Sequence, residues 1–252
     1  MTEMVGLALI VGSGFERLGF EIVERSAIET PYGEPSSSVL TLRVGEARLP
    51  CIARHGEVHR LLPHEVNYRA NVWALREHGA RACIGLNTVG AIDPKLFPGE
   101  LAVPEQLVDY TWGRESTYAG RGAPVKHAEF ALPFSAVLRG RLVEAVIECG
   151  FDCRGGTYGV TQGPRLETAA EIDRLERDGC TMVGMTAMPE AALARELDLE
   201  YAVCALAVNF AAGKDPGGAQ IGEQIERFAA EGMRKLAVVI ERLVATGPFG
   251  AL

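Results

Sequence analysis

The sequence has no apolar run approaching the roughly 20 residues that a helix needs to cross a bilayer. Its longest early stretch, Val5 to Val11, is broken by Gly6, so no membrane partner is expected. A secretory leader is not legible either. Acidic Glu3 stands where a basic segment belongs, and Phe15-Glu16-Arg17 follows the apolar stretch at once, which makes a cytoplasmic protein the default expectation. Basic charge is in deficit: 25 Lys and Arg against 33 Asp and Glu give a formal net charge of -8. Phosphate-backbone binding needs a basic stripe, so nucleic acid is not an expected partner. The six cysteines (Cys51, Cys83, Cys149, Cys153, Cys180 and Cys204) form no CxxC pair and have no histidine at zinc-finger spacing. They are expected to be reduced thiols packed as small hydrophobes.

Several catalytic signatures are missing as well. Gly12-Ser13-Gly14 begins like a dinucleotide fingerprint, but Arg17 stands where GxGxxG requires its third glycine. There is no GxxxxGK[ST] loop, no HExxH pair and no GxSxG elbow, which argues against nucleoside triphosphates, zinc proteolysis and Ser-His-Asp hydrolysis. His55, His59 and His64 lie close together, yet Arg54 puts positive charge where a metal cation would sit, and no paired carboxylate accompanies them. No metal site is expected.

What is present is a 252-residue chain, 48% hydrophobic and 23% charged, the composition of a globular domain with a sizeable core. Strand-like runs are expected at 7–11, 39–44, 49–53, 82–86, 101–103, 159–161, 182–185 and 201–208. Helical patterns fall at 65–78, 134–149, 168–178, 189–197 and 221–243. This alternation predicts an α/β fold with a mainly parallel sheet, and no Pro-, Gly- or Ser-rich linker divides residues 1–252, so one domain is expected.

In such sheets ligands gather beyond the carboxyl ends of the strands. Ser13, Arg54, His55, Asn87, Thr88 and Thr186 all stand there, as does Asn209. The first six supply hydrogen-bond donors and no carboxylate, a set suited to free phosphate: a guanidinium fork takes two oxygens and an imidazole a third.

Together these residues resemble the trimeric purine nucleoside phosphorylase family, in its methylthioadenosine phosphorylase-like branch. The resemblance is carried in family order by the segments 11–14 (VGSG), 53–56 (ARHG), 63–75 (PHEVNYRANVWAL), 87–90 (NTVG), 98–101 (PGEL), 163–168 (GPRLET) and 184–190 (GMTAMPE). It implies a single α/β domain with a mixed, barrel-like central sheet flanked by helices, a homotrimer, and reversible phosphorolysis with no metal or organic cofactor. Inorganic phosphate, the co-substrate, displaces a purine from C1′ of a ribonucleoside. By matching position, Ser13, Arg54, His55, Asn87, Thr88 and Thr186 would hold phosphate. Ser13, His55 and Asn209 would serve catalysis, Met185 would lie under the sugar, and Tyr68 would be near it. His127 matches a segment that reaches into the neighbouring subunit's site. As the glycosidic bond lengthens, negative charge moves onto the base, and Asn209 is placed to meet it by accepting from protonated N7.

The chain departs from the adenine-specific members at two positions. They carry Asp-Tyr-Asp where this sequence has Asn209-Phe210-Ala211. A carboxamide offers the donor that O6 of a 6-oxopurine wants, whereas a carboxylate would face it lone pair to lone pair. Glu167, beside Leu166, matches the acid that accepts N1–H in hypoxanthine and guanine enzymes. Adenine has no hydrogen there. Simpler readings stand beside these: Glu167 as an acid at a helix start, Asn209 as a strand-end turn residue. Ile221 and Ile225, one helical turn apart, fit either an apolar wall for a 5′-methylthio group or the protein core. Taken together the expected reaction is phosphorolysis of S-methyl-5′-thioinosine. Inosine/guanosine and S-methyl-5′-thioadenosine phosphorolysis are the alternatives, with a non-catalytic nucleoside-binding protein further away.

Overall fold

The computed structural model describes residues 6–120 and 127–249. Its strands are β1 (Leu7–Val11), β2 (Glu21–Ser26), β3 (Val39–Val44), β4 (Ala47–Ala53), β5 (Ala82–Ala91), β6 (Leu101–Ala102), β7 (Gln106–Asp109), β8 (Cys153–Arg154), β9 (Thr157–Val160), β10 (Met182–Gly184) and β11 (Glu200–Phe210). The helices are α1 (Tyr68–Glu77), α2 (Ala136–Glu148), α3 (Ala169–Arg177), α4 (Ala187–Glu196) and α5 (Ile221–Val244). All eleven strands join one mixed sheet whose main path runs β2-β3-β4-β1-β5-β10-β9-β7, with β11 pairing β5 and β6, and β8 pairing β6.

The near-continuous apolar runs are explained by burial on both faces. In β1, Leu7, Leu9 and Val11 enter one core cluster while Ala8 and Ile10 enter the other. In β11, Ala202, Cys204, Leu206 and Val208 face the first cluster, and Tyr201, Val203, Ala205 and Ala207 the second. Helices α2 and α5 cover the first face, α1 and α4 the second. The sheet is less parallel than the alternation suggests. Only Gly45 and Glu46 separate β3 from β4, and a two-residue turn permits nothing but an antiparallel return.

Strand β5 organises the site. Its first half pairs with β1, Leu7 opposite Ala82 through Val11 opposite Leu86, and its far end pairs with antiparallel β10. Between these partners β1 stops and the sheet forks. Residues 87–91, beyond the strand expected at 82–86, continue it, because β11 keeps pairing with them to the end. Helix α1 starts at Tyr68 rather than at 65, since the Asn67 side chain accepts from Ala70 N at 3.1 Å and caps it there. Strands β2, β7 and β8 had no apolar signature to announce them. All three are half-buried or exposed.

The free cysteines are buried at 51, 83, 180 and 204, while Cys149 and Cys153 are only half-buried. No helix among the described residues is long and apolar enough to cross a membrane.

Candidate active site

A cavity of about 320 Å³ opens where the sheet forks, a size that suits a small-molecule ligand. Five of the six residues with phosphate-side expectations bear on it in different ways. Ser13, Thr88, Thr186, Arg54 and His55 all line it. Ser13 follows β1, and Thr88 projects from β5 on the pleat opposite to buried Asn87. Thr186 precedes α4 and its side chain makes no bond to the helix; the backbone leaves the helical conformation at Met188, so the regular part of α4 begins after it.

Arg54 is 1% exposed, and its surroundings correct the expectation that the donors come without a carboxylate. Glu190 of α4, wholly buried, takes Arg54 Nε and accepts from Nη2 at 3.0 Å. Nη2 also donates to Asn87 Oδ1 at 2.8 Å and Ile10 O at 3.2 Å. The guanidinium fork is therefore spent on Glu190 and not left for two phosphate oxygens. Nη1 remains, with one long bond of 3.4 Å to Leu86 O. It lies so close to Gly12 that a Cβ there would come within 2.6 Å of it. Burial works against the Arg54 charge, but the Glu190 carboxylate more than restores it and raises the guanidinium's affinity for its proton. Tyr201 OH donates to Glu190 at 2.8 Å and Asn87 Nδ2 to Tyr158 OH at 3.4 Å, completing a buried polar network behind the cavity.

His55 places Nδ1 2.8 Å from Leu61 O. Burial and neighbouring Arg54 push its imidazole down to about 4, so it is neutral at physiological pH.

The same cavity is lined by the residues expected to meet the base. Asn209, 6% exposed, is in β11 and not in a turn. A register shift between Ala207 and Asn209 bulges the strand, and such bulges re-aim side chains beside binding sites. Its Nδ2 donates to Phe210 O at 2.7 Å, leaving Oδ1 and a second N–H. Glu167 is not the acid that starts α3, because Thr168 and Glu171 form that capping box themselves. Its carboxylate instead accepts from Thr161 Oγ1 at 2.6 Å and lines the cavity. Met185 and Leu166 line it too, as do Ile221 and Ile225 from the first turns of α5. Ile225 also packs against the core cluster, so it serves as wall and core together.

Three expected residues are not brought to the cavity. Asn87 is behind it, orienting Arg54. Tyr68 is buried beside it without lining it, its hydroxyl donating to Pro63 O at 2.7 Å and accepting from Arg114 Nη1 at 3.3 Å. His127 is exposed and lies outside this chain's cavity lining. Two residues escaped the sequence reading. Glu190 had a signal, a lone acid in the apolar stretch 187–194, where burial demands a partner. Arg114 had none. Its guanidinium donates to Met185 O and Met188 O at 2.7 Å each and to Gln162 O at 2.9 Å, tying together the two loops that carry Met185 and Glu167.

Residues 7–245 match the family described as Phosphorylase superfamily. A protein of Pseudomonas syringae pv. tomato named probable S-methyl-5′-thioinosine phosphorylase is 48% identical over 246 residues, covering 96% of this chain and 99% of that protein. A 6-oxopurine nucleoside phosphorylase of Pyrococcus furiosus is 40% identical, covering 83% of this chain and 81% of that one. Among solved structures, methylthioadenosine phosphorylase from Schistosoma mansoni in complex with adenine superposes with a TM-score of 0.87 at 30% identity, over 95% of this chain and 91% of that chain.

Proposed function

The chain belongs to the phosphorylase superfamily, and from that premise we propose that it is a pentosyltransferase that cleaves S-methyl-5′-thioinosine with inorganic phosphate, giving hypoxanthine and 5-methylthioribose 1-phosphate. The observation that carries this reading is that Asn209 and Glu167 line the same cavity as Ser13, Thr88, Thr186 and Arg54. A 6-oxopurine has O6 to accept, N1–H to donate and N7 to be protonated. A neutral carboxamide and a carboxylate complement that edge, while adenine, with no hydrogen at N1, would leave the Glu167 carboxylate facing a lone pair, a mismatch that buried sites punish heavily. The relatives from Pseudomonas syringae and Pyrococcus furiosus, named for 6-oxopurine substrates, support the same base.

In this reading phosphate sits against Ser13, Thr88, Thr186 and Arg54 Nη1, beneath C1′. As the C1′–N9 bond stretches, the sugar becomes oxocarbenium-like and the anion stabilises it, while Asn209 Oδ1 accepts from protonated N7. Met185 floors the sugar, and Ile221 and Ile225 give the 5′ end an apolar wall that suits a methylthio group better than a hydroxyl. Neither metal nor organic cofactor takes part. We place the enzyme in a homotrimer, in which His127 of one subunit completes the neighbour's site, and in the cytoplasm.

The test is a substrate panel with and without phosphate. Hypoxanthine should appear from S-methyl-5′-thioinosine only when phosphate is present, and inosine should be used less well. Binding without turnover at saturating phosphate, or equal use of inosine, would refute the reading in its enzymatic or its 5′ half respectively.

A further inference from the structure

The end of β11 carries Asn209, and the strand needs partners there beyond those of the sheet. β6 reaches Ala205 and Leu206. Ala207 then exchanges bonds with the turn before β6, accepting from Gly99 N at 2.7 Å and donating to Glu100 O at 3.0 Å. Past the bulge a side chain takes over: Phe210 N donates to Gln224 Oε1, from α5, at 2.9 Å.

Gln224 is buried, and both ends of its carboxamide are engaged, since Nε2 donates to Ala219 O at 3.1 Å. Phe210 N can only donate and Ala219 O can only accept. The amide therefore has one orientation, and neither a carboxylate nor an alkyl group can replace it in full. Its two bonds fasten the connection between β11 and α5 at both ends. Within that loop Asp215 accepts from Gly217 N at 3.1 Å and from Ala219 N, and Lys214 is tied to Asp173 and Glu176 of α3 at 3.0 and 2.8 Å.

Both ends of this brace belong to the site. Phe210 N is part of the peptide group that leaves Asn209, and Phe210 O receives Asn209 Nδ2 at 2.7 Å. On the helix, Gln224 stands three residues after Ile221 and one before Ile225. Those two line the cavity, and Gln224 does not. It joins the residue proposed to meet the base to the wall proposed to meet the 5′ end without lying at either.

We propose, on the footing of the phosphorolysis reading, that Gln224 is a positioning residue which sets the separation between the Asn209 amide and the Ile221/Ile225 wall. The cavity then gauges a nucleoside from its 6-keto edge to its 5′ substituent, and the two selections depend on one buried amide. The bond from Phe210 N serves the base end, and the bond to Ala219 O serves the 5′ end.

The experiment measures kcat/KM for S-methyl-5′-thioinosine, S-methyl-5′-thioadenosine and inosine, and the KM for phosphate, in the unaltered protein, Gln224→Leu and Gln224→Glu at mildly alkaline pH. Gln224→Leu loses both bonds, and its preferences for the thioinosine over inosine and over the thioadenosine should each fall about tenfold, the worth of one or two neutral hydrogen bonds. Gln224→Glu, ionised at that pH, keeps the bond from Phe210 N and turns a lone pair towards Ala219 O. It should retain the base preference and lose the 5′ preference. The KM for phosphate should not move, because Gln224 bonds to Phe210 and Ala219 and not to Ser13, Arg54, Thr88 or Thr186. A purely structural glutamine would lower stability and leave both preferences intact. Should Gln224→Leu fail to fold, Gln224→Glu decides alone. Unchanged preferences in a folded variant, or a base preference lost as fully with glutamate as with leucine, would overturn the inference while phosphorolysis stands. No phosphate-dependent cleavage by the unaltered protein would remove both.

Discussion

At position 209 a carboxamide does what a carboxylate cannot, since it can offer hydrogen to a keto oxygen without carrying charge. Residues of this kind were legible from sequence because they stand at strand ends, where the chain alone shows which side chains can meet a ligand. What the chain could not show was pairing across 136 positions, the separation of Arg54 from Glu190. The expected anion fork proved to be half of a buried ion pair. Removing the acid should therefore be costly. Glu190→Ala is expected to lose about 3–5 kcal/mol by stranding a buried guanidinium, measured by denaturant unfolding. Glu190→Gln should keep more of that stability while raising the KM for phosphate and leaving that for nucleoside little changed. A surface-like effect of either substitution would show that Arg54 is not held by Glu190.

Elements carry the same lesson one level up. Apolar runs placed the centres of β1, β3, β5 and β11 correctly, and the helices within a few residues, because alternation and capping are local signals. The ends of β5 and β11 were misplaced, since continued pairing between them, and not composition, decides that Asn87–Ala91 and Asn209 remain in strand. The bulge at Ala207/Asn209, beside the amide proposed to meet the base, is likewise invisible in the sequence. The loops after β9 and β10 depend on a third element for their position, since Arg114 bonds both through carbonyl oxygens. Arg114→Ala should loosen together the loops bearing Glu167, Met185 and Thr186. The expected outcome is a KM for nucleoside raised about tenfold, as for loss of a well-ordered charged hydrogen-bonding group, with the KM for phosphate raised as well. Unchanged KM values for both ligands would contradict this role.

For the molecule as a whole, one forked sheet supplies the site: Ser13 and Arg54 follow β1 and β4, Thr88 and Asn209 lie in β5 and β11, and Glu167 and Thr186 follow β9 and β10. The net charge of -8 does not draw anions from a distance, but screening confines such fields to about 8 Å at physiological ionic strength. Local donors then decide binding. His127, exposed on this chain, fits the proposed trimer, and sedimentation equilibrium should give three chains of 27.0 kDa each. A monomer that retains full activity would dismiss a role for the neighbouring subunit.

The central claim is that a neutral side chain at 209 selects a keto purine. The most direct measurement compares kcat/KM for S-methyl-5′-thioinosine and S-methyl-5′-thioadenosine in the unaltered protein and in Asn209→Asp. The account predicts at least about a tenfold preference for the thioinosine, diminished or reversed by the aspartate. Equal or better use of the thioadenosine by the unaltered protein, or a ratio indifferent to the substitution, would contradict it.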